Sequence, residues 1–316
     1  MKIHIIEPLA VSEQAVNQFK DNFTTQGHEV IVYDNRNEHP EETIKRCSGA
    51  DIVVIANLPF PRAVIDALPD LKMLAVAFTG TDHIAMETCR EKNIAVRNAS
   101  GYSSINVAEL TVGLMIDLLR NITKLDPLTR RGGTRKGLTG FDLAGKTVGI
   151  VGTGEIGLRV AKILSGFDVH LLAYSRTEKK EALDYGITYT GLDTLLKESD
   201  IVTLHLPLSA HTRGMIDADK IGLMKKSSYI VNCARGPIIA SKDLAEALKE
   251  RRIAGAALDV FDTEPPLPPE NPFLTLENVI LTPHIAYATE EAFTRRLEIV
   301  KTNIEAFIKG KPVHGD

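Results

Sequence analysis

Short runs of β-branched and other apolar residues alternate with amphipathic stretches along nearly the whole chain. In the first third the runs are Ile3–Ile6, Val30–Tyr33, Ile52–Ala56, Met73–Phe78 and Ile94–Val96, and between them Val11–Phe23 and Pro61–Leu68 have helical spacing. That rhythm predicts βαβ units. The strands are continuously apolar rather than alternating, so each is expected to be covered on both faces, in a parallel sheet flanked by helices. A second set follows, with six candidate strands at Thr147–Val151, Val169–Tyr174, Ile201–Leu204, Tyr229–Val231, Gly255–Leu258 and Val279–Leu281. Between the sets, Asn106–Arg120 reads as a helix with apolar Val107, Leu110, Leu114 and Leu118. The last periodic stretch, Thr289–Lys309, carries Phe293, Leu297, Val300, Ile304 and Phe307, and its simplest destination is the first domain or the cleft. The expected division is residues 1–100 plus 288–316 as one domain and 101–287 as the other, with the chain crossing twice in a hinge.

Composition narrows the class without choosing the chemistry. The 316 residues suffice for about two domains, and 44% apolar with 25% charged residues is ordinary for a globular protein. Thirty-seven Lys and Arg against 41 Asp and Glu give −4, which offers no basic field for nucleic acid or anionic lipid. The longest unbroken apolar run, Met73–Phe78, is far short of the roughly 18–20 residues of a membrane span, and no signal-peptide pattern opens the chain. Three cysteines, Cys47, Cys89 and Cys233, without a C-x-x-C, read as reduced thiols, and a cytoplasmic location is expected. Nine histidines form no H-x-x-x-H pair, so no metal is expected.

The sharpest local signal is Thr147-Val-Gly-Ile-Val-Gly152-Thr-Gly154-Glu155-Ile156-Gly157, an apolar strand running into G-x-G-x-x-G, with a helix continuing through Leu158–Leu164. Gly152 permits the tight turn, Gly154 lets a pyrophosphate approach the backbone, and Gly157 lets helix pack on strand. A competing match, Gly140-Phe-Asp-Leu-Ala-Gly145-Lys146-Thr147, spells a P-loop, but Lys146-Thr147 opens a strand where a P-loop needs a helix. Sites that prefer NAD usually carry an acid at the tip of the second strand. Here Tyr174 is followed by Ser175, Arg176 and Thr177, donors and a positive charge that favour NADP over NAD. Glu178 is expected in the first turn of the next helix.

Three further segments place polar residues just after apolar strands: Asn232-Cys-Ala-Arg235-Gly236, Asp259-Val-Phe-Asp-Thr-Glu264, and Thr282-Pro-His284. In a doubly wound sheet the ligand crevice lies outside the carboxyl ends of the strands, so all three are expected beside the nicotinamide. An arginine can hold a carboxylate with two parallel N–H bonds. A histidine can pass a proton near neutral pH, and a carboxylate bonded to an imidazolium favours the protonated form. The expected catalytic group is therefore Arg235, Glu264 and His284.

At these residues the chain resembles the D-isomer-specific 2-hydroxyacid dehydrogenases. The likeness extends over His205-Leu206-Pro207 with Thr212, Ala257-Leu-Asp259, Thr263-Glu264-Pro265-Pro266, Thr79-Gly80-Thr81-Asp82 and Val107-Ala108-Glu109-Leu110, hence over most of the chain. The resemblance implies a Rossmann cofactor domain inserted into a flavodoxin-like substrate domain. It implies Arg235 as substrate-binding arginine, Glu264 as the glutamate assisting the histidine, His284 as acid/base, and Phe78, Thr79 and Gly80 as the loop holding the substrate carboxylate. It also implies cofactor contacts at Thr111, His205, Pro207, Thr212, Ala234 and Asp259 beside the glycine turn, and a homodimer formed through the cofactor domain. The activity it implies is hydride transfer between NAD(P)H and a small 2-oxo acid or D-2-hydroxy acid. A rival from another class is a coenzyme-sensing regulator of the same fold, disfavoured by the chain's charge and by the lack of an added tail.

Overall fold

The computed structural model describes residues 1–264 and 266–311. The chain divides into two compact units, Met1–Ser103 together with the segment from Ala288 onward, and Ser104–Tyr287.

The first unit alternates strand and helix: β1 (Lys2–Ile5), α1 (Glu13–Thr24), β2 (Glu29–Val32), α2 (Pro40–Cys47), β3 (Ile52–Ile55), α3 (Arg62–Asp66), β4 (Met73–Val76), α4 (Met86–Glu91) and β5 (Ala95–Asn98). Its five strands pair in the order β2-β1-β3-β4-β5, all parallel, with Ile3 opposite both Val30 and Ile52. This is the flavodoxin-like order. Every residue of β3 and β4 is buried, as expected for central strands covered on both faces. The strands stop short of their apolar runs: Ile6, Ala56 and Phe78 are buried yet lie past the paired residues, because packing keeps the run apolar after the ladder has ended. At the β1/β3 reversal the buried carboxylate of Glu7 accepts from the N–H groups of Ala56 (2.7 Å) and Leu58 (3.0 Å) and pairs with Arg36. At the opposite end, Asp51 accepts from the Lys2 N–H (2.8 Å) and from Lys72 Nζ (2.6 Å), tying β1, β3 and β4 together.

The second unit opens with α5 (Ser104–Arg120), which a left-handed Asn121 (φ 57°) separates from α6 (Ile122–Arg130). There follow β6 (Thr147–Val151), α7 (Glu155–Leu164), β7 (His170–Tyr174), β8 (Ile187–Tyr189), α8 (Leu192–Glu198), β9 (Ile201–Leu204), α9 (Ala218–Gly222), β10 (Tyr229–Asn232), α10 (Ser241–Lys249), β11 (Gly255–Leu258) and β12 (Val279–Leu281). The sheet is parallel throughout, in the order β12-β11-β10-β9-β6-β7-β8, which is the Rossmann order with its reversal between β6 and β9. One strand was not foreseen. β8 is three residues long, Ile-Thr-Tyr at the sheet edge after a left-handed Gly186, too short and too polar to register as an apolar run. One buried cluster lies under α5 and α7, including Met115, Val148, Ile150 and Val160, and another under α8, α9 and α10, including Leu195, Val202, Ile230 and Leu248. Lys146 and Thr147 lead into β6, so the P-loop lookalike is the approach to a strand.

The chain then returns to the first unit as α11 (Glu290–Ile308), whose N-terminus is capped by the Thr289 hydroxyl accepting from the Ala292 N–H (3.1 Å). α11 packs against β4 and β5, and Asn303 Nδ2 donates to the Asn98 carbonyl (3.0 Å). Cys47, Cys89 and Cys233 are buried free thiols. Among the described residues no helix is long and apolar enough to cross a membrane.

Candidate active site

Because the seven strands of the second unit run in parallel, their carboxyl ends share one edge of its sheet, and the loops leaving them carry most of the polar residues singled out above. Gly152 has φ 100°, and a Cβ on it would lie 2.4 Å from the His205 carbonyl oxygen; one on Gly157 would lie 2.0 Å from the Gly152 oxygen. These two glycines are steric necessities. Gly154 is different, since no protein atom comes within 4 Å of the Cβ it lacks. It is also the N-cap of α7 and supplies no side-chain cap, so the first helix N–H groups, at Glu155 and Ile156, border an opening. Space beside Gly154 and uncapped amides at a ten-residue helix make a cradle that fits a dinucleotide pyrophosphate.

At the neighbouring strand the Gly152 N–H donates to the Tyr174 carbonyl (2.8 Å). Beyond Tyr174, Arg176 and Thr177 are exposed and Ser175 is half-buried; these three side chains make no hydrogen bond or ion pair among the described residues. Glu178 lies in the loop rather than in a helical first turn, because the next helical segment is a short 3₁₀ turn that starts only at Lys180. After β9, the His205 ring Nε2 lies 3.0 Å from Thr203 Oγ1, and burial pulls the imidazole down to about 3, so it is neutral in the working pH range. The Thr212 hydroxyl donates to the Pro207 carbonyl (2.7 Å) and accepts from the Ser209 N–H (2.8 Å), so it closes its own loop. Thr111 is fully buried on α5 with its hydroxyl on the Val107 carbonyl (2.7 Å). Cys233 lies beside it, its thiol pushed up to about 12 by burial.

The three remaining segments follow β10, β11 and β12. Asn232 organises the first, its side chain accepting from the Ala234 N–H (3.0 Å) and donating to the Arg235 carbonyl (2.9 Å). Arg235 is half-buried with Nη1 on the Ala234 carbonyl (2.8 Å). A Cβ on Gly236 would lie 2.1 Å from the Phe261 carbonyl carbon, so this loop runs against the one that carries Glu264. Glu264 Oε2 is 2.8 Å from His284 Nδ1. A carboxylate only accepts, so Nδ1 carries the proton in this bond, and exchange with a substrate oxygen falls to Nε2.

His284 has φ 54°, unusual for a residue with a Cβ, and its surroundings hold it there. The fully buried Asp259 accepts from Thr282 Oγ1 (2.6 Å) and from the N–H groups of Ile285 (2.9 Å) and Ala286 (2.9 Å), bracketing His284 on both sides. Burial raises the Asp259 carboxyl above its ordinary value, against the pull of these three donors. Asn106 Nδ2 holds the Ala286 carbonyl (2.8 Å), and the Tyr287 ring meets the imidazole edge-to-face at 5.3 Å. In the sequence Asp259 was a cofactor-contact position only; its anchoring of the histidine loop rests on backbone donors that no spacing displays.

Phe78, Thr79 and Gly80 belong to the first unit, directly after β4. Phe78 is buried with its ring 6.3 Å from that of Tyr102, and the Thr79 carbonyl accepts from Asn98 Nδ2 (2.7 Å).

Residues 112–286 match the family described as D-isomer specific 2-hydroxyacid dehydrogenase, NAD binding domain. The chain is 40% identical over 293 residues to a glyoxylate reductase of Thermofilum pendens, spanning 90% of this chain and 86% of that protein. It is 42% identical over 275 residues to a D-3-phosphoglycerate dehydrogenase of Methanocaldococcus jannaschii, spanning 86% of this chain and only 52% of that longer protein. The solved structure of an acyclic imino acid reductase, Bsp5, in complex with NADPH and D-Arg has a TM-score of 0.88 at 30% identity, over 99% of both chains. Two wound parallel domains and a glycine cradle define a nicotinamide-dependent oxidoreductase. More narrowly, the chain belongs to the D-isomer specific 2-hydroxyacid dehydrogenases, which move a hydride between NAD(P)H and a small 2-oxo or D-2-hydroxy acid. The regulatory reading finds no support in these matches.

Proposed function

We propose that this enzyme reduces a small 2-oxo acid of the glyoxylate or hydroxypyruvate kind with NADPH, the second unit binding the coenzyme. The observation that carries the proposal is the Glu264–His284 pair, 2.8 Å apart, on a loop pinned by Asp259 at the coenzyme-binding edge of the sheet. The coenzyme, when bound, supplies or takes up the hydride. Arg235 holds the substrate carboxylate through two N–H bonds, the role for which its planar fork is suited. His284 Nε2 gives its proton to the carbonyl oxygen as that oxygen becomes an alcohol, and Glu264 keeps the ring oriented.

The preference for NADPH is supported by the exposed Arg176, whose side chain makes no ion pair among the described residues, and by the lack of an acid at the tip of β7 in the sequence, features that suit a 2′-phosphate. Bsp5, similar over the whole chain, binds NADPH. Initial rates with NADPH and NADH against glyoxylate, hydroxypyruvate and pyruvate test the reading directly. The expected result is a higher kcat/KM with NADPH, and preference for NADH would reverse the coenzyme assignment. Turnover of none of these acids, with coenzyme bound, would remove the substrate class. The enzyme acts as a homodimer in the cytoplasm: α6 has no buried residue, Ile122 and Phe141 are 53% and 57% exposed, and the buried thiols suit a reducing compartment.

A further inference from the structure

Tyr189 ends β8 opposite Ala173, half-buried at the edge of the second unit's sheet. Its hydroxyl donates to Thr153 Oγ1 (2.9 Å) and accepts from the Lys179 N–H (3.0 Å). A phenol has one proton to give, and here both its donor and its acceptor capacity are used. Thr153 stands between Gly152 and Gly154 and is only 1% exposed, so the phenol grips the glycine turn from beneath. Lys179 closes the loop that begins at Ser175. That loop is therefore tied to the glycine turn at both ends, by the Gly152 N–H on Tyr174 (2.8 Å) at its start and by Tyr189 at its finish. Between these ties, the side chains of Ser175, Arg176 and Thr177 make no bond among the described residues.

We propose that Tyr189 is the positioning residue for the adenosine half of the coenzyme, fixing the spacing between the amides that take the pyrophosphate and the loop that takes the ribose 2′-phosphate. The inference rests on the coenzyme reading above and deepens it. A loop pinned at both ends meets the 2′-phosphate without first having to be ordered, which is where pre-organisation gains affinity. One released at its far end pays that ordering on binding, and NADPH loses more than NADH because only NADPH uses the loop's donors and charge.

Tyr189→Phe keeps the ring and its packing but removes both bonds. At about 0.5–1 kcal/mol net for each, the NADPH dissociation constant is expected to rise about 5- to 30-fold. The inhibition constant of 2′,5′-ADP should rise in parallel and that of NADH by less, while kcat at saturating NADPH stays within about twofold. Thr153→Val removes the same link from the other side, and by the logic of a double-mutant cycle the combined variant should bind NADPH no worse than Tyr189→Phe alone. NADPH and 2′,5′-ADP binding unchanged in Tyr189→Phe, or a kcat loss with KM unmoved, overturns the proposal. Should Tyr189→Phe fail to fold, the constants of Thr153→Val decide in the same way. A parent enzyme that binds neither NADPH nor NADH defeats the coenzyme reading and this inference with it; a parent that binds tightly beside an indifferent variant defeats this inference alone.

Discussion

The imidazole of His284 is held at Nδ1, at the ring and through the backbone on either side. Glu264 takes Nδ1, Tyr287 lies edge-to-face against the ring, and Asp259 holds the backbone on either side at a φ that costs strain. Such over-determination fits a group whose orientation matters more than its freedom. Replacing His284 by Gln should lower kcat by about 10²–10⁴-fold, the range of general acid–base catalysis, with the NADPH dissociation constant changed less than about twofold. Stopped-assay rates and coenzyme fluorescence titration check the two halves separately, and undiminished turnover would take His284 out of the chemistry. In the sequence, Arg235, Glu264 and His284 were visible because each follows an apolar strand. Asp259 showed as a carboxylate but not as the anchor of Ile285 and Ala286. Tyr189 was missed altogether, because a strand of three residues gives no period against which its polar tip could stand out.

At the level of elements, the long and strongly apolar pieces were legible and the short or exposed ones were not. β3 and β4 are buried throughout and α5 along one face, and they announced themselves by composition, whereas α6, with Pro127 inside it and no buried residue, offers only the short apolar set Ile122, Leu125 and Leu128. Strand ends were overrun for a related reason: burial continues through Ala77 and Phe78 after pairing ends at Val76. On the homodimer reading proposed above, the weakly buried α6 and the exposed Phe141 would face the second copy of the chain. Ile122→Lys combined with Phe141→Glu is therefore expected to shift the enzyme from dimer to monomer in sedimentation velocity. A parent that sediments as a monomer would refute that reading at once.

Across the whole molecule the two sheets are anchored in the same manner. Asp51, immediately before β3, holds the first N–H of β1 and a lysine ahead of β4; Asp200, immediately before β9, holds the first N–H of β6 (2.9 Å) and Lys225 ahead of β10 (2.8 Å). The Lys72 bond holds the Asp51 carboxyl below its usual range. At Asp200 burial works the other way, but the Lys225 and Thr147 bonds outweigh it and the net shift is again downward. A carboxyl depressed in the folded state stabilises it above the unfolded value and loses that contribution as pH falls through the folded one. Asp51→Asn and Asp200→Asn should each cost about 0.5–1.5 kcal/mol at pH 7, toward the lower end because both groups are partly solvated. Urea midpoints measured from pH 7 down to about 3 should converge on the parent's at the acid end. A gap that stays constant across that range would show that ionisation is not the cause.

The insertion of one unit within the other also sets a timetable for synthesis. Ser104–Tyr287 is one uninterrupted stretch, so its core can close as soon as that stretch has left the ribosome. The opening hundred residues have no such independence: β4 and β5 must wait for α11, made nearly two hundred residues later, before their apolar face is covered. The segment translated first is thus the one whose native packing is finished last.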